Sequence, residues 1–202
     1  MTPMISMLPL PAGLRNRLSA LRTLSLDLPT IVLLIGLDVV ARLLPHVPDF
    51  TPIAASGLFA ASVLRLRGLS LVVPLVGMMG GDALVGGFYD WRIMICVYGA
   101  LMLPALAASV SIRLCRPRMV VPVLLSSSLL FFLVSNFAVW AFSPLYAGDA
   151  AGLVKCYLAA LPFLRLTIAG DLFWGAMLFG CHWLLQIRQA GKAPAAAARG
   201  AV

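Results

Sequence analysis

Charged side chains are scarce in this chain, and glutamate is absent from it altogether. Asp, Lys and Arg make up 11% of its 202 residues, whereas an average soluble domain carries roughly 25% charged residues. Hydrophobic residues reach 62%, and the mean hydropathy is +1.02. This composition excludes a soluble domain and predicts an integral membrane protein. We interpret the net charge of +8 as an orientation signal, and we expect no nucleic-acid partner.

Motifs of the common enzyme classes are also missing. No GxSxG, HExxH, Walker or GxGxxG pattern occurs, so no ATPase, zinc protease or serine hydrolase of these classes is indicated. The four cysteines lack CxxC or Cys/His spacing, and His46 near Asp49 is more typical of a solvated loop than of a metal site. We therefore predict that the protein is not an enzyme and has no catalytic residue, metal or cofactor.

Long apolar runs define the predicted fold. A helix needs about 20 residues to cross a bilayer, and the candidate helices cover residues 28–45, 51–64, 69–88, 92–112, 119–142 and 161–187. The second is short, and Pro52 marks its start. Residues 153–160 predict a separate interfacial helix that ends at Pro162. We expect an all-α, polytopic membrane protein with six transmembrane helices in one bundle.

The predicted domain organisation follows from these runs and from the composition of the two ends. A cytoplasmic segment covers residues 1–26, the six-helix domain covers 27–188, and a disordered cytoplasmic tail covers 189–202. Lys and Arg accumulate in short cytoplasmic loops. With the N-terminus inside, the inner segments hold eleven of the 15 basic residues: Arg15, Arg17, Arg22, Arg65, Arg67, Arg113, Arg116, Arg118, Arg188, Lys192 and Arg199. We therefore predict a bacterial inner-membrane protein, in contact with membrane lipids, with both termini in the cytoplasm.

The seven aspartates follow the opposite distribution. Only Asp27 lies at the predicted inner face, whereas Asp171 lies about ten residues into the last helix, and Asn136 lies in the outer part of the fifth. The other acids fall at outer helix ends or outer loops: Asp38, Asp49, Asp82, Asp90 and Asp149. A charge within a membrane is costly, so such residues usually face a bundle interior or a water-filled cavity. This one-sided set predicts a pocket near the outer face.

Two pairs of these residues have spacings that bear on their contacts. Asp38 and Arg42 are four residues apart, so they share a helix face and are able to pair. Arg165 and Asp171 are six apart and meet only if the chain turns near Pro162 or through another helix. An alternative interpretation of both pairs is that acids and bases neutralise each other and only hold the bundle together.

The stretch "GMMGGDALVGGFYDW" surrounds Asp82 with glycines. Gly77 and Gly81 have the small-xxx-small spacing that allows close helix packing, which is a common and weak motif. Gly86 and Gly87 predict that the third helix ends or unwinds before the aromatic residues. Tyr89 and its aromatic neighbours are typical of an interfacial belt, and they are also suited to line a ligand pocket.

Four blocks of the sequence carry a resemblance: "DFTPIAASGLFAASVL", "LVVPLVGMMGGDALVGGFYDW", "LLFFLVSNFAVW" and "CYLAALPFLRLTIAGDLFWGAMLFG". Their order and spacing are similar to those of an uncharacterised family of bacterial six-helix membrane proteins. That family resembles the substrate-binding S components of energy-coupling-factor transporters. The resemblance implies an S-component-like bundle with a pocket open to the outside, and a shared transmembrane coupling subunit with two ATPases as partner. The first helix offers only Gly36 and Ala41 to a small-residue docking face, so a solitary carrier remains an alternative.

These patterns lead to a functional hypothesis with one alternative. We expect a membrane transport component that binds a small vitamin-like or polar solute in the outer pocket. The alternative is a structural or assembly protein without a substrate. The candidate substrate-binding or gating residues are Asp38, Arg42, Asp82, Tyr89, Asn136, Arg165 and Asp171.

Overall fold

The computed structural model describes residues 12–44, 49–87 and 89–192, and this part of the chain contains helices and no β-strand. Six α-helices follow one another along the chain: α1 (Ala12–Leu43), α2 (Ile53–Val63), α3 (Val72–Val85), α4 (Trp91–Val110), α5 (Pro117–Phe142) and α6 (Ala150–Lys192). Short 3-10 helices at Arg67–Leu71 and Ile112–Cys115 connect α2 to α3 and α4 to α5. Five segments are long and apolar enough to cross a membrane, and α2 is a shorter apolar helix. The predicted all-α membrane bundle is confirmed, and the chain has the helices of a multi-pass membrane protein.

Two helices extend beyond their predicted limits. The interfacial helix predicted for residues 153–160 is wrong as a separate element, because α6 runs without a break through Pro162. Proline is tolerated in membrane helices, where neighbouring groups satisfy the carbonyl that it leaves unpaired. Helix α1 begins at Ala12, within the segment assigned to the cytoplasm, and α6 reaches Lys192 within the predicted tail. His46 and residues 193–202 lie outside the described residues.

Helix α2 lies at the centre of the bundle. Eight of its residues are buried: Ile53, Ala54, Ala55, Ser56, Gly57, Leu58, Ala60 and Ala61. On one side Ala60 packs with Ile31 and Leu34 of α1. On another side Ala55 and Leu58 pack with Val120 and Leu124 of α5 and with Ala108 of α4. Alanine and glycine on α2 let the surrounding helices approach closely, so large apolar side chains are left for the outer surface, as at Leu33 and Val110.

The loops divide between two ends of the bundle, which are named here by their charge. The basic end carries the α2–α3 and α4–α5 connections, with Arg65, Arg67, Arg113, Arg116 and Arg118. The acidic end carries the other connections, with Asp49, Asp90 and Asp149. At the basic end, the buried Asp27 carboxylate accepts hydrogen bonds from the backbone N–H groups of Arg65 (3.2 Å) and Leu66 (2.9 Å). Asp27 therefore fixes the chain where it leaves α2.

The short α2 does not extend through the whole bundle. Its 11 residues give a length of about 16 Å, roughly half of a hydrocarbon core. From the acidic end, residues 49–52 descend into the bundle and pack on α6 at Gly170, where an added Cβ would lie 3.0 Å from Phe50 Cα. The rings of Phe50 and Phe173 are 5.4 Å apart at that level. Irregular backbone at such a depth occurs where it is enclosed by protein or lines a cavity.

Candidate functional site

Gly77 and Gly81 position the charged side chains of α1. An added Cβ at Gly77 would lie 2.7 Å from Asp38 Cβ, and one at Gly81 would overlap Arg42 Cδ. The two glycines are one turn apart on α3, and the two charged residues are one turn apart on α1. The weak small-xxx-small motif is therefore a groove that holds Asp38 and Arg42.

Arg42 pairs with an acid on another helix. Its Nη2 donates to Asp82 Oδ1 in a salt bridge, and its Nη1 lies 3.5 Å from Met78 Sδ. The hydroxyl of Tyr98, on α4, donates to Asp82 Oδ2 at 2.5 Å. Asp82 is completely buried, and both of its carboxylate oxygens have a donor. The Arg42–Asp82–Tyr98 cluster thus joins α1, α3 and α4.

Asp38 does not pair with Arg42, which corrects the predicted pair. Its Oδ2 accepts a hydrogen bond of 2.8 Å from the hydroxyl of Ser56 on α2, and its Oδ1 is buried without a partner. The space at Gly81 directs the Arg42 guanidinium towards Asp82 on α3 and away from Asp38, which lies one turn earlier on α1. Asp38 is completely buried between α1, α2 and α3, so it joins helices.

A cavity of about 310 Å³ lies at the acidic end, bounded by the N-terminal end of α2. This volume is at the lower limit of small-molecule sites. Four of the predicted site residues line it: Arg42, Tyr89, Asn136 and Asp171. Asp38 and Asp82 are not among its lining residues. The cavity occupies the level that the short α2 leaves unfilled, so the architecture itself creates it.

Arg165 and Asp171 do not meet, and Arg165 is outside the cavity. Because α6 is continuous through Pro162, six residues separate the two side chains by about 120° around the helix. Arg165 is exposed and does not line the cavity. Asp171 is 5% exposed, and its Oδ2 accepts a hydrogen bond of 2.6 Å from Ser128 on α5.

Other lining residues were not predicted from the sequence. They are Asp49, Thr51, Ile53, Met78, Val97, Leu101, Phe131, Phe132, Ser135, Ala160, Phe163, Leu164 and Thr167. Asn136 gives a partial signal for the α5 group, because Phe132, four positions before it, shares its face of the helix. Ser128 and Tyr98, the partners of Asp171 and Asp82, show no local signal, because each contact depends on how two helices pack.

The α3–α4 connection forms part of the rim. Gly86 ends α3 in the left-handed conformation, with φ of 71°, which confirms that the helix ends before the aromatic residues. Asp90 then caps α4 by accepting from the N–H of Arg92 at 2.8 Å. Hydrogen bonds from the Arg92 side chain, and then from its backbone, lower the pKa of Asp90 to about 2. Burial raises the pKa of the Tyr89 hydroxyl, and the nearby Asp82 carboxylate adds to this effect.

These features define a class: an all-α, multi-pass membrane protein with a polar cavity at one end of its bundle. Residues 23–196 match a family described as a family of unknown function (DUF6580). Since the match covers most of the chain, the protein belongs to this family. No curated protein and no solved structure matches the chain.

Proposed function

We propose that this protein is a membrane transport component that binds a small polar or vitamin-like solute in the cavity at the acidic end. The observation that supports this most directly is the cavity itself, whose lining combines polar groups, among them the buried Asp171, with apolar and aromatic side chains. Small-molecule sites combine mainly apolar walls with a few polar groups that orient the ligand.

The proposed orientation places the cavity on the outer side of the bacterial inner membrane and both termini in the cytoplasm. Its support is the charge distribution between the two ends, since Arg65, Arg67, Arg113, Arg116 and Arg118 all belong to the basic end. Basic residues in short loops are retained on the cytoplasmic side. A solute would then reach the cavity past Asp49 and Tyr89, which lie in loops at the acidic end and line it.

In this proposal, a partner protein supplies the energy for transport. The chain contains no Walker motif, and the resemblance to S components supports a shared transmembrane coupling subunit with two ATPases. A solitary carrier is the alternative within this proposal. Co-purification of a tagged chain with an ATPase module would favour the first arrangement, and uptake by the chain alone in liposomes would favour the second.

A second candidate is a structural or assembly protein, and one observation favours it. Asp38 and Asp82, two of the predicted site residues, join helices and do not line the cavity. In this case polar substitutions would affect folding only, and the cavity would have no ligand.

Ligand binding by the purified protein separates the two candidates. In lipid nanodiscs, a panel of vitamins and small polar solutes should include at least one that raises the melting temperature, because a ligand that binds only the folded state stabilises it. Asn136→Leu or a bulky Ala160→Trp in the cavity wall should abolish that shift. Leu33→Ala, on an exposed part of α1, is the control. If no solute in the panel shifts the wild type, the structural alternative is favoured.

A further inference from the structure

The charges around the cavity do not balance. Arg42 is the only basic residue among the described lining residues, and its guanidinium is engaged by Asp82, which lies behind the wall. Asp171 lines the same cavity, and no described Lys or Arg forms a salt bridge with it. The cavity therefore contains a carboxyl group without a basic partner.

This carboxyl group is buried and only half satisfied. Asp171 is 5% exposed. Its Oδ2 accepts from Ser128 at 2.6 Å, whereas its Oδ1 has no hydrogen-bond donor among the described residues. A buried carboxylate with one hydroxyl donor is costly, and a cation beside it would offset much of that cost.

The hydrogen-bonding groups around Asp171 point to the same ligand chemistry independently of charge. Two hydroxyl protons of the cavity are already donated within their own helix, from Ser135 to the Phe131 carbonyl at 2.6 Å and from Thr167 to the Phe163 carbonyl at 3.0 Å. The amide of Asn136 likewise donates to the Phe132 carbonyl at 2.8 Å. Oxygen lone pairs of these three side chains are left, so this part of the lining offers acceptors to the donors of a ligand, while Thr51 and Tyr89 bring hydroxyl donors to the cavity.

The apolar lining residues are suited to an apolar part of a ligand. Phe131, Phe132 and Phe163 line the cavity together with Leu101 and Leu164. Aromatic rings bind apolar groups and also attract a cation through their faces. At about 30 Å³ for each water-sized group, the cavity volume of about 310 Å³ has room for a ligand of roughly ten such groups.

We propose that the cavity selects an amphipathic monocation: a protonated amine that donates to Asp171 and to the acceptors of Asn136 and Thr167, with its apolar body against the phenylalanines. This inference rests on the proposed solute-binding function and specifies the chemical class of the solute. An ammonium group, with three donors and no acceptor, fits the Asp171 carboxyl group and the oxygen acceptors of Asn136 and Thr167. An anion would meet Asp171 without a free cation to offset the repulsion.

Three probes of similar size and different charge test the selection: 2-phenylethylamine, 2-phenylethanol and phenylacetate. Binding is measured by isothermal titration calorimetry and by thermal shift in nanodiscs of neutral lipid at neutral pH. We expect the amine to bind about tenfold or more tightly than the alcohol, because the alcohol leaves the acceptors unpaired, and phenylacetate to bind most weakly. Asp171→Asn should remove the preference for the amine, and Thr167→Val should weaken amine binding severalfold. Asp149→Asn, an identical change at an exposed loop position, should preserve the preference.

The outcomes separate this inference from the proposed function. If the alcohol or phenylacetate binds as tightly as the amine, and Ala160→Trp abolishes that binding, the cavity is a solute site and the cation selection is wrong. A preference for the amine that survives in a folded Asp171→Asn protein would also overturn the selection. If neither these probes nor the vitamin panel binds the wild type, both proposals fail. Should Asp171→Asn not fold, the comparison of the probes on wild type and on Thr167→Val decides.

Discussion

Arg42 of α1 forms its salt bridge with Asp82 of α3, although Asp38 lies one turn away on its own helix. The long guanidinium side chain lies in the space left by Gly81, and Tyr98 donates to the second oxygen of Asp82. The charged pair and Tyr98 thus link three helices beside the cavity. Removing one partner would leave the other as a buried charge without compensation, which destabilises the folded state.

Breaking this pair on one side should destabilise the protein strongly. Arg42→Met leaves Asp82 buried with only Tyr98 as a donor, and Asp82→Leu leaves the guanidinium unpaired. Each single change should lower the free energy of unfolding by about 3–5 kcal/mol. The double variant should be more stable than the less stable of the two single variants, because neither charge is then left unpaired. Unfolding of the four proteins in detergent measures the coupling. Equal and additive losses would show that the two side chains do not act as a pair.

The groove on α3 gives a second prediction. Gly81→Ala should lower the melting temperature and the folded yield, because the new methyl group overlaps Arg42 Cδ, and Gly77→Ala should do the same at Asp38. Gly36→Ala is the matched control, since an added Cβ there meets nothing within 4 Å. That control should be neutral or slightly stabilising, because alanine is favoured over glycine in a helix by up to about 1 kcal/mol. Equal melting temperatures for Gly81→Ala and Gly36→Ala would contradict the packing at Arg42.

These contacts show how far the sequence alone could define the site. The position of Asp82 near the end of its helix follows from counting residues along an apolar run, and Pro52 correctly marked the start of the short second helix. The count of about ten residues from the start of the last helix to Asp171 was wrong, because α6 begins at Ala150. Ser56, Tyr98 and Ser128 became partners of buried acids only through the register of helix pairs. That register depends on small-residue contacts such as Gly77 with Asp38. The one-sided acids predicted a pocket, but most of its lining could not be predicted, because the cavity is the space that α2 leaves empty.

A third prediction concerns the basic end, away from the cavity. Asp27→Ala removes the acceptor for the N–H groups of Arg65 and Leu66, so it should cost about 1–3 kcal/mol of stability. Asp27→Asn retains one acceptor oxygen and should lose less. Ligand affinity at the cavity should be unchanged in both folded variants. A change in ligand affinity at constant stability would show that the two ends are coupled.

Protonation of Asp90, at the rim of the cavity, should make the stability of the folded state depend on pH. Its pKa is lowered from 3.8 to about 2 by hydrogen bonds from Arg92, so the folded state binds the proton less readily than the unfolded chain does. The stabilisation is complete above the unfolded pKa and is lost as the pH falls through the folded value. Melting temperatures of the wild type and of Asp90→Asn should therefore converge from about pH 5 to about pH 2. Since the pair is exposed, high salt should reduce the difference as well. A difference that grows on acidification would contradict this assignment.

Orientation in the membrane is tested by two single cysteines at positions with open space. Gly148 lies in the α5–α6 loop at the acidic end and Gly68 in the α2–α3 connection at the basic end, and an added Cβ meets nothing within 4 Å at either. In a background without the four native cysteines, we expect a membrane-impermeant maleimide added to intact spheroplasts to label Gly148→Cys. Gly68→Cys should be labelled only after permeabilisation, because arginines adjacent to Gly68 are retained in the cytoplasm. The reverse pattern would place the cavity on the cytoplasmic side, and uptake from outside would then no longer be supported by the charge distribution. Labelling of both positions in intact spheroplasts would indicate a mixed orientation and would equally contradict the proposal.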